Sequence, residues 1–112
     1  MKKILFYAMD GEKMCFLHVL MNALDLHKEG MEVAVIFEGA SVKLPPLLEE
    51  EKNKLYLQAK EEGLLAGICL ACSSVLGVLE ENKKTGLPLL NDMMGHAGIK
   101  PYLLEGYEVI SF

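Results

Sequence analysis

Residues 64–74 read LLAGICLACSS, and this stretch decides the fold. Its first eight residues are nearly all apolar, which is typical of a strand that helices cover on both faces. The two serines that follow Cys72 belong to the residue types preferred at helix N-termini. The stretch therefore predicts a strand that passes at once into a helix over 73–84.

The rest of the chain repeats this alternation of short apolar runs and longer helical patterns. Helices are predicted over 13–29 and 46–62, with Gly30 and Gly63 as stop signals, whereas 92–104 is broken by glycine and proline. Four further apolar runs read as strands, at 3–9, 32–37, 87–90 and 107–112. The alternation predicts an α/β sandwich with right-handed crossovers.

Composition narrows the function classes. A chain of 112 residues with net charge -5 and no arginine has the length of one domain, 1–112, and offers no basic face for nucleic acid. No apolar run approaches the roughly 20 residues that span a membrane. The apolar segment before Asp10 is too short for an export signal, and three cysteines do not form a complete disulfide set. We therefore expect a cytoplasmic protein, and its 52% apolar content favours a homo-oligomer.

In parallel sheets, function collects beyond the carboxyl ends of the strands. That rule gathers the loops at 10–11, 38–39, 69–74 and 91–96, of which the third contains the motif Cys69-Leu-Ala-Cys72. A thiol at a helix N-terminus has a lowered pKa, and Cys72 fits that position. Cys69 lies three residues earlier and could share a disulfide, a persulfide or a metal ion with it. In the alternative interpretation, both cysteines are small core residues.

The other cysteine and the three histidines have different expected roles. His96 lies between two glycines, and it is either a surface histidine or a proton donor that faces the two cysteines. Cys15 could reach the site or pack at the edge of the core, and together with His96 it would complete a soft-metal set. His18 points away from the buried arc of its helix, which favours a solvent or subunit contact. His27 fits a helix C-terminus, where it would interact with the dipole.

Several segments together resemble the DsrE/DsrF-like family. They are the strand EVAVIFEGA, a cysteine at the end of the third strand, a Gly-His loop and the closing strand GYEVI. The resemblance implies a three-layer α/β/α sandwich with a five-stranded, mainly parallel sheet. It also implies a homo-oligomer that carries a persulfide on Cys69 or Cys72 and exchanges sulfur with donor and acceptor proteins. The basic residues that follow the cysteine in relay proteins are replaced here by Val75 and Leu76.

Three functions follow as hypotheses. In the first, the protein is a sulfur carrier without a cofactor, in which Cys72 is the attacking thiolate, Cys69 the second thiol and His96 a polar partner. In the second, it binds zinc or another soft metal through Cys69 and Cys72 with Cys15 or His96. In the third, it is a non-catalytic oligomeric binding module whose cysteines only pack.

Overall fold

The computed structural model of the protein describes residues 2–112, which form one five-stranded sheet. The strands are parallel throughout and lie side by side in the order β4-β3-β2-β1-β5. The predicted α/β fold with a parallel sheet is confirmed. The strands are β1 (Lys3–Ala8), β2 (Glu32–Phe37), β3 (Leu65–Cys69), β4 (Leu89–Leu90) and β5 (Glu108–Ser111).

Six α-helices and one 3-10 turn connect the strands. Because the first three crossovers step the same way across the sheet, right-handed connections put their helices on one face; the fourth reverses direction and puts α6 on the other. Contacts of α1 with α3 and of α2 with α5 link helices of all three crossovers, as a shared face requires. The helices are α1 (Lys13–Lys28), α2 (Leu44–Glu50), α3 (Lys54–Glu61), α4 (Leu70–Val75), α5 (Leu79–Lys84) and α6 (Lys100–Leu104), and the 3-10 turn is Gly39–Lys43.

Two helices predicted as continuous are each broken in two. The segment 46–62 splits at Lys52, whose φ is 52°, and Asn53 then caps α3 by accepting the Tyr56 N–H at 3.0 Å. The segment 73–84 splits at Gly77, whose positive φ ends α4. This helix also begins earlier than predicted, because Cys69 rather than a serine caps α4. The strand-to-helix junction is therefore tighter than the sequence indicated.

The core lies between strands β1–β3 and the helices of the first three crossovers. Phe16 of α1 packs on Phe37 of β2 with ring centroids 4.9 Å apart, and both are almost wholly buried. No helix within residues 2–112 is long and apolar enough to cross a membrane. Large apolar side chains also remain exposed, among them Val75, Met94 and Leu104. The homo-oligomer expected from composition stays a prediction.

The turn at 93–96 follows β4 and is strained. Met93 and His96 exchange both backbone hydrogen bonds at 2.8 Å, and between them Met94 has φ 51° and Gly95 φ 88°. Left-handed backbone favours glycine and asparagine and costs other residues roughly 1 kcal/mol. The Met94 side chain is 99% exposed, so it gains no packing in return.

Met94→Asn is therefore expected to stabilise the protein by about 0.5–1 kcal/mol, because Asn-Gly is a preferred pair for such a turn. Urea denaturation followed by circular dichroism measures this difference. Met94→Ala keeps the strain and serves as the control, for which we expect no gain. Equal stabilities of the asparagine and alanine variants would show that the turn is not strained.

Candidate metal centre

Four side chains of different chemistry meet at the carboxyl edge of the sheet. They are Glu38, Cys69, Cys72 and His96, and one donor atom from each lies within 4.8 Å of the other three. Glu38 and Cys69 are buried, and Cys72 and His96 are partly exposed. Both cysteines and the histidine were singled out from the sequence, and the fold brings them together.

Two of the four side chains are placed by the ends of strands, and the other two by a helix and a turn next to them. Glu38 directly follows β2, and Cys69 is the last residue of β3. The Cys69 thiol caps α4 by accepting the Cys72 N–H at 3.3 Å, which turns the second thiol towards the first. The turn that carries His96 is tied to the same helix, because the Gly95 carbonyl accepts the Ala71 N–H at 2.9 Å.

His96 Nδ1 lies at the centre of the contacts. It is 3.3 Å from Cys69 Sγ, 3.4 Å from Cys72 Sγ and 3.5 Å from Glu38 Oε1. The Cys72 thiol donates a hydrogen bond to Glu38 Oε1 at 2.7 Å. Nδ1 is thus the imidazole atom that would share a ligand or a proton with the thiols and the carboxylate.

Both thiols hold their protons more tightly than an ordinary cysteine. Burial, the hydrogen bond to Glu38 and the Cys69 thiol raise the pKa of Cys72 to about 12. Burial and Glu38 also raise the pKa of Cys69. This corrects the expectation that a helix N-terminus lowers the pKa of Cys72, because the carboxylate beside it and the loss of water outweigh the helix end.

Glu38 remains ionised although it is only 4% exposed. Burial acts to raise its pKa, but hydrogen bonds from the thiols of Cys69 and Cys72, from the Gly39 N–H and from Tyr7 lower it below the usual value. The Tyr7 hydroxyl lies 3.0 Å from Glu38 Oε2 and 2.7 Å from the Ala97 carbonyl oxygen, and these two acceptors share its one proton. Within residues 2–112, no lysine pairs with Glu38. A buried carboxylate without a full positive partner is costly, and a bound cation would remove that cost.

In the metal-free protein, Cys72 is expected to react with iodoacetamide at least ~10-fold more slowly than Cys15 at pH 7.5, since only thiolates attack. The raised pKa and partial burial of Cys72 slow it, whereas Cys15 is exposed on α1. Peptide mapping of time points by mass spectrometry measures both rates. If Cys72 were labelled faster than Cys15, this would contradict the raised pKa of Cys72. It would favour the lowered pKa that a helix N-terminus predicts.

The remaining candidates lie apart from the cluster. Cys15 is exposed rather than packed at the core edge, and it does not join the four clustered side chains. His18 is exposed, as its face of the helix predicted. His27 lies in the last turn of α1, as predicted, and its Nε2 is 3.2 Å from Glu62 Oε1.

Glu38 and Tyr7 received no role from the sequence. The sequence places the loop at 38–39 at the functional edge, and an acid that directly follows a buried strand is the available signal for Glu38. Tyr7 stands inside an apolar strand and gave no polar signal, because only the neighbouring strand shows what its hydroxyl contacts.

The donor spacing suits a tetrahedral ion. Zn²⁺ bonds of about 2.3 Å to sulfur and about 2.0 Å to nitrogen or oxygen place tetrahedral ligands about 3.3–3.8 Å apart. The two sulfur–nitrogen distances and the nitrogen–oxygen distance fall within about 0.3 Å of that range. The contact of Cys72 Sγ with Glu38 Oε1 is shorter, at 2.7 Å, because a proton joins these atoms. Its loss would let them separate around an ion.

The fold and the cluster define an all-parallel α/β protein with a Cys-Cys-His-Glu centre at the carboxyl edge of its sheet. The chain is 36% identical over 97 residues to "Uncharacterized protein MJ0733" of Methanocaldococcus jannaschii, covering 84% of this chain and 77% of the archaeal one. The chain belongs to the same family as that protein. No family model and no solved structure matches it.

Proposed function

We propose that the protein binds one soft divalent metal ion, with Zn²⁺ as the best fit, through Glu38, Cys69, Cys72 and His96. The observation that carries the proposal is the convergence of their four donor atoms within 4.8 Å. Two sulfurs and one imidazole favour Zn²⁺ or another soft or borderline ion over Mg²⁺ and Ca²⁺, which prefer oxygen ligands. Tyr7 would orient the carboxylate from behind, as partners of metal ligands commonly do.

Metal binding would displace the protons of both thiols. With both thiol pKa values raised, about two protons leave per ion near neutral pH, so affinity rises with pH by about two log units per pH unit. Calorimetric titration of Zn²⁺ in buffers of different ionisation enthalpy counts these protons. Release of fewer than one proton per ion would exclude two newly formed thiolates in the site.

Competition titration with a chromophoric zinc chelator tests the function itself. We expect one ion per chain for the reduced 112-residue chain and for Cys15→Ser, whose cysteine lies outside the cluster. No binding by either protein at micromolar free Zn²⁺ would overturn the proposal. Loss of Zn²⁺ binding in Cys15→Ser alone would place the ion outside the cluster.

A second candidate is persulfide transport, the function that the DsrE/DsrF-like resemblance implies. One observation favours it: Cys72 is partly exposed and lines an open cavity with room for another sulfur atom. Cys72 would then carry the persulfide and Cys69 would be the second thiol, with His96 as their polar partner. Protein sulfur donors and acceptors would be the partners, and both functions suit a reducing cytoplasm.

Intact-mass analysis after incubation with a persulfide donor tests the second candidate. Persulfide transport predicts one added sulfur atom, mapped to Cys72 and absent from Cys72→Ser. An unmodified wild-type chain would contradict it.

Mild oxidation adds a geometric test, because a Cys69–Cys72 disulfide requires α-carbons within about 7 Å. Protection of both thiols until a chelator is added would favour the metal site.

A further inference from the structure

The four proposed ligands differ in their exposure to solvent. Glu38 and Cys69 are buried at the inner side of the cluster, whereas Cys72 and His96 form part of the wall of an open cavity of about 300 Å³. The rest of that wall comes from Gly39, Ala40, Val75 and Leu76. An ion held by the four ligands would thus be enclosed on one side and approachable on the other.

His96 is the least supported of the four. Its side chain is 41% exposed, and it is carried on the strained turn at 93–96. A histidine that holds a permanent metal almost always has its second ring nitrogen fixed by a hydrogen bond. Within residues 2–112, the side-chain hydrogen bonds of His96 all involve Nδ1, and none holds Nε2. By contrast, Glu38 is hydrogen-bonded through both carboxylate oxygens.

We propose that the ion is cargo and is exchanged through this cavity by an incoming thiolate that displaces His96. This inference rests on the proposed metal binding. The thiolate sulfur forms a bond to the ion as the bond from His96 Nδ1 breaks, and the imidazole leaves with its own lone pair. No electron is transferred, and the ion stays divalent throughout.

The walls of the cavity favour a thiolate on a small apolar body over a hydrated ion or a polyanionic chelator. Beside Cys72 and His96, the cavity presents the side chains of Ala40, Val75 and Leu76. Such a lining offers a hydrated ion no carboxylate with which to replace its water. An aliphatic thiol, in contrast, buries its carbon atoms there and brings a soft donor to the ion.

Metal-transfer kinetics test this inference on the Zn²⁺-loaded full chain. We expect 2,3-dimercaptopropanol, a small neutral dithiol, to remove the ion at a rate proportional to its concentration. EDTA, a bulky polyanion, is expected to act at least tenfold more slowly. Rates that are equal for both reagents and independent of their concentrations would mean spontaneous dissociation and would overturn the inference. A wild-type chain that binds no ion in the competition titration would instead overturn the proposed function.

Two kinds of variant locate the route. His96→Ala is expected to bind Zn²⁺ more weakly and, when loaded above its dissociation constant, to release the ion to the dithiol at least tenfold faster, because the ligand to be displaced is gone. Val75→Trp narrows the cavity and should slow removal at least fivefold. Leu104→Trp, at an equally exposed apolar position on α6, is the matched control and should leave the rate unchanged. Equal rates for the two tryptophan variants would exclude this cavity as the route.

Discussion

Cys69→Ser is expected to weaken Zn²⁺ binding at least ~1,000-fold, beyond the 10–100-fold cost of losing a residue that only supports a ligand. The Cys69 thiol is fully buried and contacts the His96 nitrogen. Serine still accepts the Cys72 N–H that begins α4, so the helix keeps its cap. The loss therefore reports on the sulfur rather than on the fold. Competition titration measures it, with circular dichroism to confirm folding.

Two further variants calibrate that result. Glu38→Gln keeps the size of the side chain and removes its charge, and we expect a smaller loss of ~10–100-fold. Cys15→Ser removes an exposed thiol outside the cluster and should change nothing. A folded Cys69→Ser protein with wild-type affinity would show that the ion is not held by the cluster.

Zinc is expected to raise the melting temperature by roughly 15 °C when free Zn²⁺ exceeds the dissociation constant about 1,000-fold. Binding to the native state at that ratio contributes ~4 kcal/mol, and a domain of this length gains about 4 °C per kcal/mol. The site joins the ends of β2 and β3 with the turn at 93–96, so the ion links segments that separate on unfolding. Differential scanning calorimetry with and without Zn²⁺ measures the shift.

The double variant Glu38→Gln with Cys69→Ser is the control for that experiment, since it lacks two of the proposed ligands while both side chains keep nearly their size; circular dichroism checks that it folds. Its melting temperature should not respond to Zn²⁺. An equal rise in this double variant would mean that zinc stabilises the chain at some other place, and the link between binding and the cluster would be lost.

The sheet could be predicted from the sequence because its signal is local. Strands such as 32–37 are short runs of apolar residues bounded by polar residues and glycine, and parallel strands buried on both faces require that pattern. The order of the strands depends on the side of the sheet to which each connection adds the next strand, and no single segment encodes that choice. The breaks at Lys52 and Gly77 were missed because each results from a competition between a cap or a turn and the helix around it.

Three of the four cluster residues could be found because cysteine and histidine are chemically conspicuous at strand ends. Glu38 is one of many glutamates, and only its burial beside two thiols distinguishes it. The direction of the Cys72 pKa could not be predicted for the same reason. A helix terminus is visible in the sequence, whereas the carboxylate that opposes it comes from 34 residues away.

X-ray absorption at the zinc edge of the Zn²⁺-loaded protein tests the metal centre most directly. Two sulfur atoms at about 2.3 Å and two nitrogen or oxygen atoms at about 2.0 Å are the predicted neighbours, from Cys69 and Cys72 and from His96 and Glu38. Cys15→Ser should give the same spectrum. A shell of nitrogen and oxygen alone, or of three or more sulfurs, would contradict the proposed centre.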